Sequence, residues 1–180
     1  MTQRAVILAA GTASRFGGQK LLAPLNGAPL IAHALAAVAH LPTVLVASPA
    51  LEPFRGTARF VANAEPERGM THSLRLANAA IDAGDALLVL LADMPWMTRG
   101  IVDAVLAQAG DADVCYPTRD GIGGHPVYFS PRARDRIAAL PDGDALKSLR
   151  DDPHLVRRTI ALEADGAYRD VDRPGDIGVS

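Results

Sequence analysis

Short apolar runs separated by longer amphipathic stretches fix most of what this chain can fold into. The runs are Ala5–Ala10, Val44–Ala47, Arg59–Val61, Leu87–Leu91, Val114–Tyr116 and Val127–Phe129. Each reads as a short buried strand. Between them the apolar residues fall at helical spacing. After Thr98, a fitting N-cap, they are Ile101, Val102, Val105, Leu106 and Ala109, one face of a helix. Ser130-Pro131 opens another, with Ala133, Ile137 and Leu140 turned inward. Leu30–Val38 and Ser73–Ile81 are two more, and Leu146 with Leu149 marks a short one. Strands alternating with helices predict a three-layer α/β/α architecture with a doubly wound, mostly parallel sheet and right-handed crossovers. No linker, repeat or low-complexity tract divides the sequence, so residues 1–180 are read as one domain. In such sheets ligands bind in the loops after the strands.

Composition narrows the classes of function. The 18 Lys and Arg nearly balance the 20 Asp and Glu, for a net charge of -2. That leaves no broad basic surface for nucleic acid, so an anionic ligand needs a local positive cluster. The one cysteine, Cys115, excludes an internal disulfide and a multi-cysteine zinc site. Its apolar neighbours Val114 and Tyr116 make it a small core residue. The apolar start is too short for a signal peptide and ends at Gly11. Pro42 splits the apolar stretch Leu30–Leu51 into a helix and a strand, which argues against a membrane span. A cytoplasmic location is expected.

The loop after the first strand runs from Gly11 to Lys20 and holds three glycines, Gly11, Gly17 and Gly18, with Arg15 and Lys20. Glycines let backbone amides approach an anion. Arg grips phosphate oxygens in a fork, and Lys acts as a point charge. It is not a Walker loop, since five residues separate Gly11 from Gly17 and Leu21 follows Lys20. It is not the dinucleotide fingerprint G-x-G-x-x-G either. A phosphate site and an ordinary connection with two solvated charges are the two readings.

Two further strand ends carry carboxylates. Leu87–Leu91 is the most apolar run, hence the expected central strand, and it leads into Asp93-Met94-Pro95. An isolated buried Asp is costly. Magnesium bridging to phosphates is a natural partner, because Mg²⁺ usually takes one or two carboxylates. A helix N-cap ahead of Trp96 is the alternative. Near the end, Asp170 and Asp172 flank Val171, and on a strand they would share a face. An acidic turn opening a short helix at Pro174 competes with that reading.

Together these residues resemble the MobA-like nucleotidyltransferase family, whose members attach CMP or GMP to molybdopterin. Leu8-Ala9-Ala10-Gly11, Arg15-Phe16-Gly17-Gly18 and Lys20 are similar to its signature loop. Asp93-Met94-Pro95 resembles its metal motif, and Gly69-Met70 with Ser73-Leu74 a substrate-side segment. Gly124-His125-Pro126-Val127 resembles the cytidylyltransferase branch, and Asp172-Arg173-Pro174-Gly175-Asp176 the closing motif. The resemblance implies a roughly seven-stranded, largely parallel mixed sheet. It also implies transfer of a nucleotidyl group from an NTP to a phosphorylated acceptor, with release of pyrophosphate.

On this reading Arg15, Lys20 and Asp93 are catalytic, and Asp93 and Asp172 hold Mg²⁺. Leu8, Ala9, Ala10, Gly11, Arg15, Lys20 and Asn63 contact the nucleotide. Gly69, Ser73 and His125 face the acceptor; for His125 a packing role in its turn is the alternative. Ala10, where guanylyltransferases of the family carry Gly, and the Gly-His-Pro segment favour CTP. Molybdopterin is the implied acceptor and a molybdoenzyme the implied receiver of the product. Of the usual Gly-Asp-x-Gly-Ala-Arg motif, Gly143-Asp144-Ala145-Leu146-Lys147 keeps only Gly-Asp. A guanylyltransferase of the same family and a non-catalytic nucleotide-binding regulator are the alternatives.

Overall fold

The computed structural model describes residues 1–9, 19–143 and 145–178. In chain order the elements are β1 (Gln3–Ala9), β2 (Pro24–Leu25), β3 (Ala28–Pro29), α1 (Leu30–Ala37), β4 (Thr43–Ala47), β5 (Arg59–Ala62), α2 (Gly69–Ala79), β6 (Ala86–Leu91) and α3 (Arg99–Ala109). There follow β7 (Val114–Arg119), β8 (Ile122–Gly123), β9 (Val127–Phe129), α4 (Pro131–Arg134), α5 (Ala145–Arg150) and β10 (Arg157–Ala161). The main sheet has the order β10-β7-β9-β6-β1-β4-β5, with β8 attached to β7. Pairings within β6-β1-β4-β5 and between β7 and β10 are parallel. Strand β9 is antiparallel to both neighbours.

Alternation along the strands sends side chains into two apolar layers. Ala5, Ile7, Leu88 and Leu90 face the layer that includes Ile31, Ala34, Val102 and Val105 of α1 and α3. Val6, Leu8, Leu87 and Val89 face Leu74, Ala77, Ile137 and Leu149. Strand β6 is therefore buried on both sides, as its unbroken run of leucine and valine requires, and it is the middle strand.

The predicted caps hold. Thr98 Oγ1 accepts from the Ile101 N–H at 3.4 Å, and Ser130 Oγ from the Ala133 N–H at 3.2 Å. The Ser130 helix stops at Arg134 and resumes only as a 3-10 turn over Ile137–Ala139. Helix α2 begins at Gly69, ahead of the predicted Ser73. Strand β10 escaped the sequence reading because it is an edge strand with a half-polar alternation and no apolar run.

Two charged residues organise the packing. Arg134 is only 5% exposed. It donates to the carbonyls of Asn78, Ile81, Asp82 and Asp85 and to Asn78 Oδ1, at 2.5–3.3 Å. These include carbonyls left over at the end of α2 and in the turn before β6.

Asp113 performs the opposite task. Its carboxylate accepts from the Val156 N–H, Ser130 Oγ and Arg132, at 2.6–2.9 Å. Burial alone would raise its pKa, but the hydrogen bonds and the Arg132 charge hold the carboxyl below the ordinary value. A depressed folded pKa means the stabilisation is complete above the unfolded carboxylate range and is lost as pH falls through the folded value. Asp113→Ala is expected to cost about 1–3 kcal/mol near neutral pH, because buried donors lose their acceptor. Urea unfolding should show the difference shrinking as the solution is acidified.

Candidate active site

Because β9 is reversed, its start lies at the same edge of the sheet as the ends of β1, β5 and β6. That edge collects Lys20, Asn63, Asp93 and His125. Residues Ala10, Gly11 and Arg15 of the predicted loop lie outside the described residues, as does Asp144.

Lys20 opens a 3-10 turn over Lys20–Leu22. Its ammonium lies 2.9 Å from Asp93 Oδ2 and 3.7 Å from Asp172 Oδ1. Three residues from distant parts of the sequence thus meet at one point. Two contacts explain how. The Val171 N–H donates to the Asp93 carbonyl at 2.8 Å. The Val171 side chain is buried with Leu25 and Leu30 in a small satellite core, with Trp96 and Ile177 against it. The β2–β3 hairpin that follows Lys20 is thereby fastened to the segment that carries Asp172.

The competing readings of the two carboxylates are answered by geometry. Asp93 does not cap a helix, since α3 starts at Arg99 under Thr98. Asp172 lies in no strand; a 3-10 turn over Pro174–Gly178 follows it. Asp176 Oδ2 takes the local duty in that turn, accepting from the Asp172 and Arg173 N–H groups at 2.8 and 2.7 Å.

The donor set suits a divalent cation. Asp93 Oδ1 is buried and accepts no hydrogen bond among the described residues. An oxygen in that condition is free to take a cation. Among the described residues no group of three His, Cys, Asp or Glu forms a ready-made metal cage. Two carboxylates can serve a divalent cation that draws its other ligands from water and substrate phosphates.

Asp170 is the neighbour that sequence reading noticed but did not place in the site. Burial first, then the charge of Asp93, push its carboxyl above the ordinary range, with Lys20 pulling the other way. Its spacing from Asp172 was visible; its coupling to Asp93 was not.

The remaining candidates have other surroundings. Asn63 is 0% exposed. It donates from Nδ2 to Ser73 Oγ at 2.9 Å and accepts the Glu65 N–H at Oδ1, also at 2.9 Å. Its amide is thus used in joining the end of β5 to α2, and Ser73 is its partner rather than an exposed hydroxyl. Gly69, with φ +81°, starts α2 at the end of that same turn.

His125 is half-buried, and its N–H donates to the Ala167 carbonyl at 2.7 Å. Nearby, Arg150 stacks 4.5 Å from the Tyr116 ring centre and donates to the Gly124 carbonyl at 2.6 Å. The 165–167 turn rests directly on the chain at Trp96: a Cβ on Gly166 would overlap the Trp96 carbonyl. Gly166→Ala is expected to lower the melting temperature by several degrees, read by circular dichroism, because backbone lies in the way.

A family model described as the MobA-like NTP transferase domain matches residues 5–158. The chain belongs to this family. The bifunctional protein GlmU of Sphingopyxis alaskensis is 34% identical over 119 residues, which covers 61% of this chain and 26% of that protein. The chain thus spans about a quarter of the length of that relative. Among solved structures, Rv0371c of Mycobacterium tuberculosis H37Rv superposes with a TM-score of 0.83 at 20% identity, over 98% of this chain and 95% of the other. A complex of Rv0371c with manganese gives 0.75 at 20% identity, over 90% and 89%. Molybdopterin-guanine dinucleotide biosynthesis protein A of Archaeoglobus fulgidus gives 0.75 at 16% identity, over 97% and 95%. At these identities the structures establish the shared mixed sheet. Among the described residues no helix is long and apolar enough to cross a membrane.

Proposed function

We propose that this family member transfers a nucleotidyl group, preferably CMP, from an NTP to a phosphorylated acceptor of the molybdopterin type and releases pyrophosphate. The observation that carries the reading is the meeting of Lys20, Asp93 and Asp172 at the sheet edge directly after β1. Family membership supports an NTP as donor. The resemblance of Gly124-His125-Pro126-Val127 and Ala10 to the cytidylyltransferase branch supports CTP.

Asp93 and Asp172 would hold the metal, and the manganese complex of the structural relative supports a divalent ion. Bound there, Mg²⁺ supplies Lewis-acid stabilisation of phosphate charge. The protein's part is positioning and charge neutralisation. Lys20 and Arg15 orient the triphosphate and offset charge on the departing pyrophosphate. Asn63 and Ser73 act through the turn that they brace between β5 and α2. His125 and Gly69 border the acceptor side. No side chain need remove a proton from the acceptor, because a phosphate nucleophile is largely ionised near neutral pH.

The test is pyrophosphate release from CTP, GTP, ATP or UTP with Mg²⁺ and the acceptor, beside a thermal-shift panel of the same nucleotides. CTP should give the largest shift and the fastest release. A response to GTP alone would move the donor to guanosine, and release from none would leave a nucleotide-binding regulator.

A further inference from the structure

Lys20 stands where a metal would have to work. Its ammonium contacts the carboxylate of Asp93 at 2.9 Å and approaches that of Asp172 to 3.7 Å. Its side chain is only 13% exposed, and that of Asp93 25% exposed, so water and salt screen the contact poorly. The same carboxylates are the metal donors of the proposed reaction, on which this inference rests. An ammonium and a divalent cation that share these two groups repel one another. Lys20 also closes the loop assigned to the triphosphate, so it has a second anionic partner once a nucleotide arrives.

We infer that Lys20 is a resident counter-cation that keeps a divalent metal off the Asp93–Asp172 pair until a triphosphate draws the ammonium away. In the nucleotide-free protein Lys20 offsets the negative charge that Asp93, Asp172 and the adjacent Asp170 concentrate there. A triphosphate offers Lys20 more charge and frees the carboxylates. The metal and the nucleotide then bind cooperatively, and by linkage each strengthens the other equally. Free metal alone is a poor ligand, so the site does not fill with a cation in the absence of donor.

Mn²⁺ titration, followed by loss of the free-ion electron paramagnetic resonance signal, tests this. It is run on the wild-type chain, Lys20→Met and Asp93→Asn, each with and without α,β-methylene-CTP. Without nucleotide, Lys20→Met is expected to bind Mn²⁺ at least about fivefold more tightly than wild type, the lower end of ordinary coupling between sites. The analogue should strengthen Mn²⁺ binding clearly in wild type and much less in Lys20→Met. Equal or weaker Mn²⁺ affinity in Lys20→Met, including no binding by either protein, overturns the counter-cation role. Wild-type Mn²⁺ binding by Asp93→Asn with the analogue would instead remove the metal site itself, and the proposed reaction with it. Lys20→Gln provides a second neutral variant should the Met variant fold poorly. Mn²⁺ alone should raise the melting temperature of either neutral variant more than that of wild type.

Discussion

Asp93→Asn is expected to lower turnover at least tenfold to a hundredfold while leaving the fold intact. The magnitude follows from removing one charge-assisted interaction, worth about 1.5–3 kcal/mol, that is needed most when phosphate charge is being redistributed. Stability should shift by less than about 1 kcal/mol, since asparagine keeps the shape of the side chain and Lys20 retains Asp172 at 3.7 Å. The Asp93 carbonyl, which accepts from Val171 at 2.8 Å, is unchanged by the substitution, so the closing segment keeps its anchor. Pyrophosphate release at saturating CTP and Mg²⁺, together with a thermal melt, separates the two effects. Wild-type turnover by the purified variant would be incompatible with Asp93 as a metal ligand.

Arg134→Met should do the reverse, with a loss of about 3–5 kcal/mol in unfolding free energy and no direct effect on the chemistry. Methionine replaces much of the volume but none of the donors. The carbonyls of Asn78, Ile81, Asp82 and Asp85 then lose a partner they reach at 2.5–3.3 Å. Buried acceptors stripped of a charged donor cost roughly the range given. For a chain of this size that corresponds to a fall in melting temperature of roughly 10 °C. Burial lowers the pKa of the Arg134 guanidinium, opposed by nearby Asp85, yet arginine stays charged at any ordinary pH. The loss should therefore not depend on deprotonation of Arg134, which urea unfolding at several alkaline pH values would check.

The two variants mark the limits of what could be read from residues alone. The central strand was visible in Leu87–Leu91 because burial on both faces demands a continuous apolar run. Thr98 and Ser130 were visible as caps because their chemistry is local. Arg134 carried no such mark: on sequence it is one more arginine beside Ala133, and only tertiary packing places it under α2. The edge strand β10 was missed for want of an apolar run. The β2–β3 hairpin had a signal that went unused. Asn26-Gly27, with φ of +50° and +82°, is a two-residue turn of the kind that closes a tight hairpin.

At the candidate site the residue types were legible, and their surroundings were not. Asp93 and Asp172 stood out by chemistry and resemblance, but their approach to Lys20 depends on Val171 packing with Leu25 and Leu30. Asn63 illustrates the other side. Its position after β5 fits a ligand edge, yet its bonds to Ser73 and Glu65 are set by a tertiary arrangement that no spacing rule encodes. The spacing of Asp170 from Asp172 is local, but its electrostatic coupling to Asp93 is set by tertiary structure.

The satellite core of Leu25, Leu30 and Val171 also has a consequence in time. A chain leaving the ribosome supplies Lys20 and the β2–β3 hairpin first, then Asp93, and Val171 with Asp172 after both. Domains can begin to fold during synthesis, so β1, β4, β5 and β6 have the chance to align while translation continues. The cluster at the sheet edge cannot close before Val171 and Asp172 have emerged. A nascent chain arrested short of Val171 would possess the central strands and two of the three charged groups, yet lack both the fastener and the third.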